Sequence, residues 1–258
     1  MLKRLSKNVL IFYTKTQQPL TKFTSFVKYL NFKMKYFIGI DLGWRNKKTT
    51  GICILEEKNG SVCPKLDWCL NCKDFLGSRV VEEIKSYLPD TKVIAIDAPL
   101  TKGQGKGDMR LFEKFLSTKI FRKEKVNPIP PALMPKLCIF AQEVVFLMEN
   151  LGFVLNDNLI EVYPTFIQKI SGKKLFSLLD KKFKKQPCQS ENQKSALICA
   201  LVAYLHYLDK TRYLGYKDGF LFLPEMYFWQ KDWQKKFLNA WNERSFLKYK
   251  YLETNIFK

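Results

Sequence analysis

Histidine is almost missing from this sequence. His206 is the only one in 258 residues. It sits in an apolar helical run, where an imidazole packs, and a lone histidine argues against Ser-His-Asp and Cys-His mechanisms. Zinc-site spacing is missing as well. Cys69 and Cys72 form a single C-x-x-C with no second pair and no second histidine to complete a tetrahedral site. The seven cysteines are odd in number, no secretory signal precedes them and several lie in apolar runs. Reduced thiols in an intracellular, cytoplasmic chain are the expectation. No apolar run is long enough to span a bilayer, so no membrane partner is expected. Acidic residues are scarce: 24 Asp and Glu stand against 44 Lys and Arg, a net charge of +20. Such a balance suggests a polyanionic partner, nucleic acid first. The plainer explanation is a lysine-rich genome and a solvated surface. Residues 1–33 hold no acid at all but seven Lys and Arg. They read either as a transit peptide or, the reading preferred here, as an extension ahead of a true start at Met34. The expected division is therefore an extension over 1–34, a domain over 35–224 and a helical extension over 225–258.

With 47% hydrophobic residues the chain can build a sizeable core. From Lys35 onward the pattern is α/β. Lys35–Trp44 (KYFIGIDLGW) and Thr50–Leu55 (TGICIL) are two strand-like runs around a basic tip, Arg45–Lys48, and predict a β-hairpin. A third strand is expected near Leu66–Cys69. Helical spacing follows over Ser78–Leu88, stopped by Pro89, and then a strand over Val93–Leu100 (VIAIDAPL). Thr101–Asp108 (TKGQGKGD) lacks the G-K-[ST] ending of a phosphate loop and the GxGxxG fingerprint. It reads as a flexible basic flap facing substrate. Helices are expected over Met109–Phe121, over Lys136–Leu151 and along a Lys-rich solvated face from Lys173 to Lys185, with Pro-rich Asn127–Pro135 a rigid connection. Ser190 to Asp209 is the clearest helix, opened by an S-x-x-Q capping box at Ser190 and Gln193. In the tail, Trp229, Trp233, Phe237 and Trp241 recur every four residues among lysines. That stripe reads as a helix packed on its own domain, with base stacking the minority reading.

Three acids interrupt apolar strand-like runs: Asp41, Asp97 and Glu161, the last within Leu159–Pro164 (LIEVYP). A carboxylate at the end of a buried strand is costly unless it meets a cation or hydrogen-bond donors. Each acid taken singly is explained by backbone N–H groups or a salt bridge. Together they suggest convergence on a divalent metal, Mg²⁺ or Mn²⁺, because these ions prefer hard oxygen ligands.

GIDLGW, IAIDAPL, Arg110 with Glu113, IEVYP, an alanine-rich helix and GFLFLP occur in that order. This order resembles the family called domain of unknown function 429, described as predicted nucleases with an RNase H fold. The resemblance covers about Lys35 to Pro224, and the DAP and EVYP segments are its most specific parts. It implies a mixed central sheet flanked by helices, and catalytic and metal-binding roles for Asp41, Asp97 and Glu161. A departure falls on the alanine-rich helix. The family tends to place an acid directly before its first alanine, where this chain has Ser195. Glu191, one turn earlier, is the further candidate ligand, although helical side chains tilt toward the N-terminus and would carry it away from Ser195's position.

The leading expectation is a metal-dependent nuclease in which water is the nucleophile, with Lys106 or Arg110 neutralising a substrate phosphate. The alternative is a catalytically reduced nucleic-acid-binding module of the same fold. An actin-like phosphotransferase, which opens on a similar GIDLG, needs a second glycine-rich phosphate segment that this chain lacks.

Overall fold

The structure is a computed structural model, and it describes residues 34–43, 49–71, 76–104, 106–180, 190–244 and 251–257. The chain divides into two units, Met1–Met34 and Lys35–Lys258. Of the first, only Met34 is among the described residues, so the expectation for the N-terminal extension lies outside them, as does the hairpin tip Arg45–Lys48.

The second unit is mixed α/β. Its main sheet holds β1 (Tyr36–Asp41), β2 (Thr49–Lys58), β3 (Ser61–Asn71), β4 (Thr91–Asp97) and β5 (Leu159–Glu161) in the order β3-β2-β1-β4-β5. The opening hairpin forms as its pattern predicts, β1 pairing antiparallel with β2. β4 and β5 then add in parallel, which leaves β2 as the one strand running against the others. β3 is longer than its sequence suggests and takes in Pro64. It tolerates that proline because it lies at the edge of the sheet, and a register shift falls beside it.

Strand alternation sorts the core into two layers. Ile38, Ile40, Ile52, Ile54, Ile94 and Ile96 face α1 (Gly77–Ile84) and α4 (Pro135–Asn150), through Val80, Ile84, Phe140, Val144 and Met148. Phe37, Cys53, Leu55, Val93 and Ala95 face the opposite side, where α6 (Glu191–Tyr207) crosses β1, β2 and β4. Alanine suits this helix because its backbone lies almost against the strands. A Cβ on Gly39 would sit 2.0 Å from the Ala196 carbonyl oxygen, and one on Gly51 would sit 2.2 Å from that of Asn192. The Ser190 side chain caps α6 by accepting from the Gln193 N–H at 3.2 Å, as the capping box predicts.

A second sheet, ordered β7-β6-β8, is built from β6 (Thr211–Tyr216), β7 (Gly219–Pro224) and β8 (Glu253–Thr254). The expected helix over 109–121 is two short ones, α2 (Leu111–Leu116) and α3 (Lys119–Lys123). They part at Ser117 and Thr118, where the backbone leaves helical geometry and Thr118 is extended. Of the Lys-rich helix expected over Lys173–Lys185, the part from 181 on lies outside the described residues; before it a short 3-10 turn at Leu175–Leu178 leads into a bridge between Leu179 and Val62. Pairing with the sheet edge prevails there over local propensity. The aromatic stripe lies on and just before α7 (Lys231–Glu243): Trp229, Trp233 and Phe237 are buried and pack on Phe166 of α5 (Pro164–Ser171) and on Phe115 and Phe121. Rings committed to the core are not available for base stacking. His206 bridges the Thr211 hydroxyl and the Asp157 carbonyl at 2.6 and 2.7 Å, and burial pushes its pKa down. It packs half-buried, edge-on against Phe222. No described helix is long and apolar enough to cross a membrane.

Candidate active site

The C-terminal ends of β1, β4 and β5 open into a cleft of about 230 Å³. Asp41 and Asp97 stand opposite each other in the β1–β4 register. Both project toward α6: their neighbours Ile40, Leu42, Ile96 and Ala98 belong to the other layer. Adjacent strands lie about 4.8 Å apart, so two carboxylates in register on one face are near neighbours. Asp41 is 4% exposed.

Glu161 is placed differently. It pairs with Ile96, one position short of Asp97, and Ile160 and Val162 on either side of it belong to the α6 layer. A one-residue offset turns a strand side chain to the other face. Glu161 therefore reaches the cleft from the side opposite the two aspartates. Its Oε2 accepts from Arg110 Nη1 at 2.5 Å and from the Leu100 N–H at 2.9 Å. The sequence expects Asp41, Asp97 and Glu161 to converge on one ion. Among the described residues, no three His, Cys, Asp or Glu side chains form a metal-ligand group, and a guanidinium engages Glu161.

Arg110 is no solvent-facing phosphate hook. It is 1% exposed and donates to Glu161 on one side and to Glu113 on the other, Nη2 to Oε1 at 2.5 Å. The Glu113 side chain also accepts from the Arg110 backbone N–H at 2.8 Å, closing the N-terminus of α2. Nη1 further donates to the Thr101 hydroxyl, and that hydroxyl donates to the Asp218 carbonyl in the β6–β7 turn. Asp218 accepts from the Leu111 N–H with its carboxylate. The second sheet thereby braces the arginine.

Lys106 and Glu191 lie outside the cleft lining. Lys106 is exposed on a short 3-10 turn, Lys106–Asp108. That loop is not an open flap: a Cβ on Gly103 would lie 2.0 Å from the Asp108 carbonyl, so the segment doubles back on itself. The Glu191 side chain is 86% exposed and pairs with Lys194 at 3.6 Å. At the first residue of α6 it points to solvent, as the tilt of helical side chains dictates. Ser195 is half-buried one turn before Cys199. Because Asn192 approaches Gly51, the register partner of Asp41, the first turns of α6 lie at the end of the sheet that carries the aspartates.

The described lining of the cleft is mostly acidic: Asp41, Asp97, Glu113 and Glu161 line it, with Arg110 the one cation among the described residues. Burial pushes the Glu161 carboxyl up to about 7 against the pull of Arg110. Burial also lowers the Arg110 pKa, but Glu161 and Glu113 more than offset that and hold the guanidinium charged. The Cys199 thiol, fully buried, is pushed well up by burial and by the charges of Asp97 and Asp41, so it stays protonated beside them. Tyr163 lines the cleft with its phenol raised to about 12 by burial and by Asp97. Apolar side chains line it as well: Pro99, Pro128, Ile129, Met134 and Leu137. Sequence reasoning treated Asn127–Pro135 as a connection and missed its role as a wall. Its proline content signalled rigidity, but nothing local signalled where that rigid segment lies.

Comparisons with family models, with curated proteins and with solved structures returned no match.

Proposed function

We propose that the chain is a Mg²⁺- or Mn²⁺-dependent hydrolase of phosphodiester bonds in nucleic acid, with an RNase H-like core and kinship to the domain of unknown function 429 family. The observation that carries this reading is the pair Asp41 and Asp97: in register on adjacent parallel strands, on one face, at the mouth-side ends of a buried sheet. The mixed order β3-β2-β1-β4-β5 flanked by helices supports the same reading.

The donor set fits a hard cation. Two carboxylate groups supply oxygen ligands, and the nearby Cys199 thiol stays protonated and so offers no soft thiolate. Asp41 and Asp97 would hold the ion, which supplies Lewis-acid polarisation of the phosphodiester and activation of water. The protein's own contribution is positional. Arg110, fixed between Glu161 and Glu113, holds positive charge at the cleft wall without having to reorganise. Tyr163 remains a hydrogen-bond donor at neutral pH, since its pKa is pushed up to about 12. A cytoplasmic location is part of this proposal.

The test is Asp41→Asn. Asn keeps the shape and removes the charge. Mn²⁺ affinity by calorimetry should fall at least about tenfold, about 1.4 kcal/mol. Metal-dependent cleavage should vanish with the melting temperature unchanged or raised, since the variant relieves carboxylate repulsion. Cleavage at the parent rate with Mg²⁺ present would overturn the assignment. The engagement of Glu161 by Arg110 and the neutral Ser195 favour a second reading, a module that holds nucleic acid without cutting it. Salt-sensitive binding with neither metal uptake nor cleavage in the parent would select it.

A further inference from the structure

Deepening that reading to the form of its substrate, we propose that the cleft accepts an unpaired nucleotide, so that the chain acts on single-stranded rather than duplex nucleic acid. This rests on the phosphodiester reading of the same site.

Depth is the first argument. Asp41 is 4% exposed, Glu113, Glu161 and Arg110 are buried with it, and Asp97 beside it is half-buried. The backbone of a paired, stacked duplex is held on the outside of a wide rod. Its phosphates can touch carboxylates displayed on a surface but cannot descend to carboxylates at the bottom of a pit. Enzymes that work on a buried target face the same limit, and they take the nucleotide out of the stack or use single-stranded substrate.

Size is the second. The cleft's volume of about 230 Å³ falls below the roughly 300–1,000 Å³ of pockets that enclose drug-sized ligands. A base pair does not fit in it; part of one nucleotide does.

The walls are the third. Acids line the cleft from both faces of the sheet, and Pro128, Ile129, Met134 and Leu137 line it with them. A nucleotide is polar and anionic at its phosphate and apolar on its base faces. Inserted end-on, its phosphate would lie at the aspartates with the proposed cation, and its base against these apolar side chains. Stacking a base on such side chains is indifferent to sequence and available only when the base is unpaired. The chain's net charge of +20 attracts the strand, and the cleft selects its form.

Two measurements test this. Fluorescence anisotropy in Ca²⁺ compares a short labelled single strand with a duplex closed by hairpins at both ends, so that no frayed end is present. The single strand should bind at least about tenfold more tightly and, in Mn²⁺, should be the one cleaved. Ile129→Trp then fills the cleft from its rim, where Ile129 is 41% exposed and a larger ring does not disturb the core. It should weaken single-strand binding about tenfold while Mn²⁺ affinity by calorimetry stays at the parent value. Equal binding and cleavage of the closed duplex, with Mn²⁺ held and lost on Asp41→Asn, would overturn the inference and leave the hydrolase standing. So would unchanged strand affinity in Ile129→Trp. No Mn²⁺ uptake at all would remove both.

Discussion

A single proton on Glu161 links the site to stability. Two carboxylates and one guanidinium share a dry environment, and burial favours fewer net charges. The Glu161 carboxyl is accordingly raised to about 7 from 4.5. The native state therefore keeps a proton that the unfolded chain has already released. Stability from this group is full below about pH 4.5 and is lost as pH rises through about 7. Glu161→Gln removes the titration but keeps an acceptor for the Arg110 and Leu100 donors. Urea midpoints measured from pH 5 to pH 8 should fall for the parent and stay flatter for the variant. Parallel curves would show that Glu161 titrates at an ordinary value. None of this was legible beforehand. Asp41, Asp97 and Glu161 each follow an isoleucine in a strand-like run, and local sequence does not say which of them meets an arginine fifty residues away.

At the scale of elements, α6 and its seat on the sheet decide the architecture of the site. Its alanine-rich face and S-x-x-Q start identify the helix from sequence, and Gly39 and Gly51 explain why it lies so close. Gly39→Ala should destabilise by about 2–3 kcal/mol through overpacking against the α6 backbone, read as a shift in denaturation midpoint. A neutral result would mean the helix can lift away without loss. The same helix carries the departure at Ser195. Ser195→Asp adds a carboxylate on the first turns of α6, at the end of the sheet that holds the aspartates. Because Arg110 takes up Glu161, the parent site is short of a third acidic donor. Calorimetry should show Mn²⁺ affinity rising about tenfold, and any cleavage rate should rise with it. A variant that binds the ion no better would show that Ser195 lies too far from the pair. Glu191 does not compensate, since its side chain points to solvent beside Lys194.

Across the whole molecule, the net charge and the described cleft lining have opposite signs. The chain carries +20 while four carboxylates line the cleft. On the proposed reading, attraction of a polyanion and chemistry on it are separate tasks, the first resting on the chain's net charge and the second on the sheet end. Binding to nucleic acid should weaken steeply with salt and depend little on sequence, each neutralised phosphate adding about 0.7 to the log–log slope on a single strand. Anisotropy titrations from low to physiological salt measure it, and a flat dependence would contradict an electrostatic mode.

What the sequence by itself determined is what short-range chemistry can carry. The opening hairpin, the capped alanine-rich helix, the packing of His206 and the absence of a spanning helix among the described residues all follow from local pattern. The acids were legible as a set for the same reason, each being a costly interruption of an apolar run. Only the tertiary structure decided how the set divides. Asp41 and Asp97 share a face because β1 and β4 align them, while Glu161 pairs with Ile96 and emerges on the other. Strand side chains alternate with a period of two, so the pairing register, a property of two distant segments at once, sets the face each acid points to.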